Sequence, residues 1–510
     1  MQTKREDHTE FWRTLAAALK EGDPLARCLD RAGAHLAGTA WEEICAQSAR
    51  RLEGGATLSQ ALQDHPDVFD ARIVSAVTAG EEGGVLDVQA DRIAAALAAD
   101  DLGSLESPQP GEQVDAAAAE AGEYLVRVVR TAVERRASDI HFEPCGPEGG
   151  RVRLRVDGVL HELERVPGET YAAVVARLKV MCTLDPAERG QCRDGRFDMT
   201  LDGERYDLRL SVIPVVGGER VVCRLLIRQK IMLGLDRLGL GEADVESVRR
   251  FCGLPCGMVV VNGPTGCGKT TLLYSMLMEM NREACCVLTV EDPVEVTFEG
   301  VSQMQIRPAV GMTFARAIRS MLRQDPDVIL VGELRDLEMM NLCVQVALTG
   351  HLLLTTLHAS TSAGAIRRLI DCGVAPFLIN STLQGVISPR LVRMLCENCR
   401  RPAPPPPEHS LPPEAAEILA SLPNATFYES VGCEACHGTG YRGRTAIYEI
   451  LTMDDRVRGT VSRPVDMAAL THAARAAGMK PMLADGLAKA ARGITSIREV
   501  VRVVPLGTQA

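Results

Sequence analysis

The stretch VVVNGPTGCGKTTLLY, Val259 to Tyr274, runs from an apolar segment through a glycine-rich loop into a lysine and a helix-like tail. Its centre (Gly263, Pro264, Thr265, Gly266, Cys267, Gly268, Lys269, Thr270) fits G-x-x-x-x-G-K-[ST], and Thr271 follows. Glycines let successive backbone N–H groups close around phosphate oxygens, and the N-terminus of the following helix adds positive potential. The lysine reaches the β- and γ-phosphates, and the threonine hydroxyl ligates Mg2+. Residues 263–271 are therefore expected to hold a nucleoside triphosphate with Mg2+, Thr270 being the metal ligand.

Outward from this loop, the runs MVVVNG, CVLTVED, DVILVGE and HLLLTTLH alternate with helical patterns. Continuous apolar strands alternating with helices predict a parallel sheet covered on both faces. Two of the runs end in acids, TVEDPVE (Thr289 to Glu295) and DPDVILVGELRD (Asp325 to Asp336). Carboxylates at the carboxyl ends of such strands, here Glu291, Asp292, Glu295 and Glu333, can hold Mg2+ or its waters and orient an attacking water. Each is otherwise an ordinary loop carboxylate. His351 and His358 stand at opposite ends of one run, where they could sense a γ-phosphate or simply close a core.

Composition limits the alternatives. Only 4% of the residues are aromatic and the formal net charge is -11, a poor match for base stacking or for a protein whose chief partner is a nucleic-acid backbone. The start, MQTKREDHTEFWRTL, lacks the apolar stretch of a signal peptide, and no uncharged run reaches membrane-spanning length. A cytoplasmic protein without membrane insertion is expected. The 17 cysteines include several inside apolar runs, such as Cys223 and Cys343, and disulfides are not expected.

Six regions are expected. Residues 1–105 carry helical spacing broken at EGDP, EGGA and GEEGG. A Pro-, Gly- and acid-rich linker (106–122) gives way to a helix, and 123–230 form a small α/β domain with the period-two strands RVRLRVDGVLHEL, RYDLRLSVIP and ERVVCRLLI. The phosphate-binding core spans 231–395, a cysteine-bearing module 396–445, and a helical region 446–510. In the cysteine module, Cys396-Glu-Asn-Cys399 and Cys433-Glu-Ala-Cys436 form two C-x-x-C pairs. Two such pairs complete the tetrahedral thiolate site that structural Zn2+ prefers.

In this order, the glycine loop, the two acidic segments and the histidine segment resemble the Walker A, Asp box, Walker B and His box of the type II secretion and type IV pilus assembly ATPases, a hexameric branch of the RecA-like NTPases. The similarity runs from about Gly122 to the C-terminus. It implies a RecA-like ATPase core with an inserted zinc module, a homohexamer, ATP as the nucleotide and Glu295 as catalytic base. It also implies Glu333 beside Mg2+ and His358 at the site. The domain before the core resembles the one that supplies arginines to nucleotide held in the ring, which implies Arg196, Arg209 and Arg220 as triphosphate sensors. Two stretches depart from the family pattern: RGQCRDGR, where Arg-x-Pro-Gln-Asp-Gly-Arg is usual, and LHASTSA, where Thr-Asn-Asp is common. The cysteine pairs are usual in secretion and extension ATPases and generally lacking in retraction ATPases. Cys267 replaces the usual Ser or Ala, and a thiol beside Lys269 at a helix N-terminus is expected to have a lowered pKa and to block ATP binding when modified.

The front end departs from this family. FWRTLAAALKEGDPLARCLDRAG, HPDVF and AGEEGGVL (Ala79 to Leu86) resemble one cytoplasmic helical repeat of the inner-membrane platform protein of the same machines. The resemblances together imply a motor for pseudopilus or pilus assembly acting at that platform. A retraction or DNA-uptake motor, a nucleotide-gated scaffold without turnover, and a nucleic-acid translocase are the rival readings.

Overall fold

A computed structural model describes residues 5–20, 24–54, 56–83, 86–99, 101–105, 113–146, 149–226, 232–280, 284–405, 407, 411–422 and 425–504. The chain divides into two compact units, Met1–Leu226 and Ile227–Ala510.

The first unit begins with helices α1 (Arg5–Lys20), α2 (Leu25–His35), α3 (Ala40–Glu53), α4 (Leu58–Leu62), α5 (Ala71–Gly83) and α6 (Leu86–Ala99). Apolar stripes at helical spacing close on Phe11, Trp12, Trp41 and Phe69, whose rings pack 4.7–6.1 Å apart. Such pairs add about 0.5–1.5 kcal/mol each beyond their area burial, a concentrated contribution in a chain with few aromatics. The AGEE segment has a mechanical explanation. Gly80 lets α6 approach, since a Cβ there would lie 3.0 Å from Gln89 and 3.1 Å from the Leu86 backbone. Glu81 accepts from the backbone N–H of Leu58 and Ser59 and from the Ser59 hydroxyl. A carboxylate at the start of α4 satisfies donors that the helix cannot, and a Thr57–Gln60 capping box completes the start.

Helix α7 (Gln113–Glu134) starts inside the region expected to be linker, because its apolar spacing extends upstream of residue 122. Residues 106–112 lie outside the described residues. After α7 come β1 (Ala137–Pro144), β2 (Gly150–Val156), β3 (Val159–Val166), α8 (Gly168–Met181), β4 (Arg193–Leu201), β5 (Glu204–Val215) and β6 (Gly218–Leu226). These strands form one antiparallel sheet in the order β3-β2-β1-β6-β5-β4. Its apolar face, with Ile140, Phe142, Leu154, Leu210 and Cys223, packs into one core with Leu125 and Val128 of α7 and Val174 and Leu178 of α8. The opposite face carries the arginines.

In the second unit, α9 (Glu242–Cys252) precedes β7 (Gly257–Asn262), α10 (Lys269–Glu279), β8 (Val287–Glu291), β9 (Ser302–Gln305), α11 (Phe314–Met321), β10 (Val328–Val331), α12 (Leu337–Leu348), β11 (Leu352–Leu357), α13 (Ser362–Asp371), α14 (Pro376–Thr382) and β12 (Leu383–Leu395). The sheet order is β15-β12-β7-β11-β10-β8-β9, where β15 (Tyr441–Thr452) is an antiparallel edge strand on an otherwise parallel sheet. Alternate residues of β7 feed two cores: Met258 and Val260 pack on one face, Val259 and Val261 on the other. Burial on both sides explains why the run reads as continuous rather than alternating. Between β12 and β15 lie β13 (Arg401–Ala403), α15 (Pro413–Ala420) and β14 (Phe427–Glu429), and after them α16 (Asp455–Thr460), α17 (Met467–Ala476), α18 (Met482–Ala491) and α19 (Ile497–Val503). The region expected to be helical from 446 therefore opens as a strand, since β15 runs to Thr452 and the first helix starts at Asp455. The expected border at 230/231 lies outside the described residues.

His8 packs against Trp41 and Phe69, its buried Nε2 has no partner among the described residues, and burial lowers its pKa from 6.5 to about 4. Unfolded chain therefore takes up this proton as pH falls through 6.5, while folded chain resists until about 4, so the module loses stability across that window. Thermal unfolding followed through Trp12 and Trp41, the chain's two tryptophans, should show a midpoint that falls with pH over this range. The fall should be shallower in His8→Phe, and equal slopes in both proteins would reject the assignment.

Candidate nucleotide site and metal centre

The parallel register puts the carboxyl ends of β7, β11, β10 and β8 side by side, and the loops after them meet on one edge. After β7, Gly263, Gly266 and Gly268 have φ of 149°, 76° and 101°, left-handed values that favour glycine. A Cβ on Gly263 would sit 2.4 Å from Arg390 Nη1 and 2.7 Å from Cys267 Sγ, so the loop closes only around a bare backbone. Pro264, Thr265, Gly266 and Thr270 are exposed, and Thr271 is half-buried. Lys269 begins α10 and turns its ammonium back onto the carbonyls of Gly263 (2.6 Å) and Pro264 (3.1 Å). Burial lowers its pKa, opposed by Glu333 among its neighbours. This glycine cradle, with a cation folded over it, fits a phosphate chain.

Arg390, which the sequence reading passed over inside an apolar strand, braces the loop. Its guanidinium donates to the carbonyls of Pro389 and Ser360 (2.8 and 2.7 Å) and lies against the space that a Gly263 side chain would take. Asn262, at the end of β7, accepts from Ala359 N–H (2.7 Å) and donates to the Thr361 carbonyl and the Ser388 hydroxyl (3.0 Å each). The unusual HASTS segment is thereby pinned to the phosphate loop, and Thr361 caps α13.

The acids divide by environment. Glu291 is buried and accepts from the hydroxyls of Tyr274 and Thr289 and from the Gln303 amide, which corrects any reading of it as a loop carboxylate. The same Tyr274 oxygen accepts the Glu295 N–H at 3.3 Å, so a residue given no role from sequence fixes the backbone beneath the expected base. Asp292 is exposed and pairs with Arg335 at 3.2 Å. Arg335 also bonds Glu333, whose other oxygen lies 3.5 Å from His358 Nε2. Lys269, Asp292, Glu333, Arg335 and His358 thus gather on one edge. His351 lies at the opposite end of β11, where its Nδ1 meets Thr349 and the Val346 carbonyl (3.0 and 3.1 Å).

On the first unit's polar face, cross-strand pairing aligns Arg155, Asp139, Arg224, Arg209 and Arg196 in one row. Arg196 and Arg209 are direct neighbours, and Arg196 is held by Asp207. Arg220 lies four residues along β6 from Arg224, roughly 13 Å at about 3.3 Å per residue. It joins a different cluster, 2.9 Å from Glu143 and 3.2 Å from His141 Nδ1. Burial would raise the Glu143 pKa, but Arg153, Arg151 and Arg220 together hold it below the ordinary value. Arg224 and Arg155, in the row with Arg209, were not singled out from sequence, because alternation alone does not rank arginines.

Cys396, Cys399, Cys433 and Cys436 bring their sulfurs within 4.8 Å of one another. The distances Cys396–Cys433, Cys399–Cys436 and Cys433–Cys436 are 3.8, 3.9 and 3.7 Å. A tetrahedron with Zn–S bonds of about 2.3 Å has an edge of about 3.8 Å, so the tetrad fits Zn2+. Backbone N–H groups of Gly432, Cys433 and Gly440 point at the sulfurs of Cys399 and Cys436 at 3.4, 3.1 and 3.1 Å, support of the kind thiolate ligands receive. Burial alone would raise the Cys436 thiol, but the N–H donors of Cys433 and Gly440, with the Cys433 and Cys399 thiols beside it, hold it below its ordinary value.

A family model described as type II/IV secretion system protein matches residues 114–502. This chain belongs to that family. A second model, type II secretion system protein F, matches residues 11–102, which bears out the separate resemblance of the front end. The type II secretion system protein E of Xanthomonas campestris pv. campestris is 45% identical over 383 residues, covering 74% of this chain and 66% of the relative. Its counterpart from Pseudomonas aeruginosa is 41% identical over 426 residues, covering 81% and 83%. The type IV pilus assembly ATPase PilB of Myxococcus xanthus is 41% identical over 375 residues, covering 73% and 66%. The chain thus spans just under two thirds of the Xanthomonas and Myxococcus proteins. Among solved structures, the ATPase DotB of Legionella pneumophila shares the fold, with a TM-score of 0.53 at 23% identity over 74% of this chain and 94% of that one.

In this secretion-family chain the expectation for Cys267 is corrected. Its side chain is 4% exposed, and burial raises the thiol above its ordinary pKa despite Lys269 and Arg390 beside it. A buried neutral thiol is a poor nucleophile. In the folded protein iodoacetamide should label the exposed Cys192 well before Cys267, as read by peptide mapping. Equal labelling would show that the loop opens and exposes the thiol.

Proposed function

We propose that this chain is a Mg2+-dependent ATPase that works as a cytoplasmic homohexameric ring at an inner-membrane platform protein and drives pseudopilin or pilin assembly for type II secretion or pilus extension. The observation that carries this reading is the sheet edge where Lys269, Glu333, Asp292 and His358 converge on a glycine loop closed against a Cβ at Gly263. No helix among the described residues is long and apolar enough to cross a membrane, so contact with the membrane would run through partners.

Backbone N–H groups of residues 265–271 and the Lys269 ammonium bind and orient the triphosphate. Thr270 and Glu333 would hold Mg2+, which would supply charge neutralisation to bound phosphate. Glu295, its backbone fixed by Tyr274, takes the proton of the attacking water. His358, paired with Glu333, follows the γ-phosphate. Arg196 and Arg209, paired across β4 and β5, and Arg220 in its separate cluster are the arginines that the family resemblance offers as triphosphate sensors. The cysteine tetrad would hold a structural Zn2+.

Glu295→Gln should retain ATP binding, read with a fluorescent analogue, while turnover falls roughly a hundredfold or more. Near-parental hydrolysis would remove Glu295 as the base. Metal analysis of the purified chain should give one zinc per chain, and Cys433→Ser with Cys436→Ser should lose the metal and unfold at lower temperature. Full thermal stability without zinc would make the tetrad four unrelated thiols.

A further inference from the structure

Arg390 lies in the buried run of β12, and the pairing of Ile387 with Val261 carries it alongside the phosphate loop that leaves β7. It is 6% exposed. Its terminal nitrogens donate to backbone carbonyls, those of Pro389 and Ser360, and Nη1 lies against Gly263 and Cys267. Among the described residues no carboxylate forms an ion pair with it. Glu449 favours its charge from beyond ion-pair distance and spends an oxygen on the Ser362 N–H. Lys269, in the same loop, repels it, and Glu333, the acid that acts on Lys269, is bonded to Arg335. Burial opposes the Arg390 charge, yet a guanidinium does not shed its proton. An ion taken out of water without a counter-ion is costly. Two cations at one short loop are thus left short of negative charge.

We propose that Arg390 is a positioning residue for the nucleotide, its buried positive charge against the phosphate loop being answered by the triphosphate itself. This rests on the reading of the chain as an ATPase. A polyphosphate held by the loop lowers the cost of burying the cation, and by linkage the cation tightens polyphosphate binding by the same amount. The bond to the Ser360 carbonyl ties that charge to the segment following His358, so the charge and this segment are placed together. A brace made of hydrogen bonds alone would need no charge, since a neutral amide also donates to carbonyls. An arginine fits the position because it stays charged where a lysine would be pressed to lose its proton.

In the full chain, binding of a fluorescent ATP analogue with Mg2+ should weaken about tenfold or more in Arg390→Gln, which keeps an amide donor and loses the charge. Arg390→Lys keeps the charge and should stay within about threefold of the parent at about pH 6.5. Between about pH 6.5 and about pH 9.5 its affinity should fall more steeply than the parent's, because a buried lysine loses its proton and arginine does not. Cys267 and Lys269 are present in both proteins, so the difference in slope belongs to position 390. ATP should also raise the unfolding temperature less in Arg390→Gln than in the parent. The lysine slope reads the charge even where the glutamine variant folds poorly. Parental affinity in Arg390→Gln, equal weakening in both variants, or parallel pH slopes would each overturn the proposal. Failure of the parent to bind the analogue would instead reject the ATPase reading, and the proposal with it.

Discussion

Parallel pairing of strands buried on both faces is the constraint on which the second unit depends. Parallel strands all point one way, so their carboxyl ends lie on one edge and the loops that leave them must meet there. The interior of the sheet is mostly apolar, with a few buried polar side chains such as Thr289, Glu291 and Thr355. Its role is to fix where the glycine loop, Asp292, Glu333 and His358 arrive. The polar clamps at that edge, Asn262 on Ala359 and Arg390 on Ser360, then remove the remaining freedom of loops that would otherwise move independently.

The first unit uses the opposite device. Its antiparallel sheet gives its apolar face to two helices and loads the other with arginines, whose repulsion is relieved by acids set among them. Asp139, Glu143 and Asp207 each hold arginines from neighbouring strands. The face is thus spaced and partly neutralised rather than simply basic. Some guanidinium groups remain largely exposed, Arg224 and Arg196 at 63% and 58%, while Arg220 is half-covered within its cluster. Three arginines that look equivalent in sequence therefore differ in availability.

What could be read from the sequence follows from how local each signal is. The phosphate loop, the parallel strands and the two cysteine pairs have short spacings that carry their own physical reason, and so does the helical front end. Arg390 and Tyr274 were missed because their importance comes from what crosses near them in space. Glu291 looked like its exposed neighbour Asp292, yet the chain turns it inward to three donors. The Cys267 expectation failed because counting nearby positive charge leaves out burial, and burial is the larger influence. The part of β15 from residue 446 on was expected to be helical because AIYEILT mixes polar and apolar positions without a clean period, and only pairing with β12 decides it.

That pairing gives the cysteine tetrad a wider meaning. An ordinary hairpin is kept in step by a tight turn, but β12 and β15 are joined by a long excursion through β13, α15 and β14. Their last matched pair is Leu395 with Tyr441, and Cys396 and Cys436 stand just beyond it. The sulfurs gather the two strand ends as a turn would and leave the intervening chain free to vary. A slip of one residue would turn every side chain of β15 to the wrong face. Among them is Glu449, which accepts the Ser362 N–H in the segment following His358. The tetrad thus stands where the register of β15 is set, and through Glu449 that register reaches the loop that follows His358.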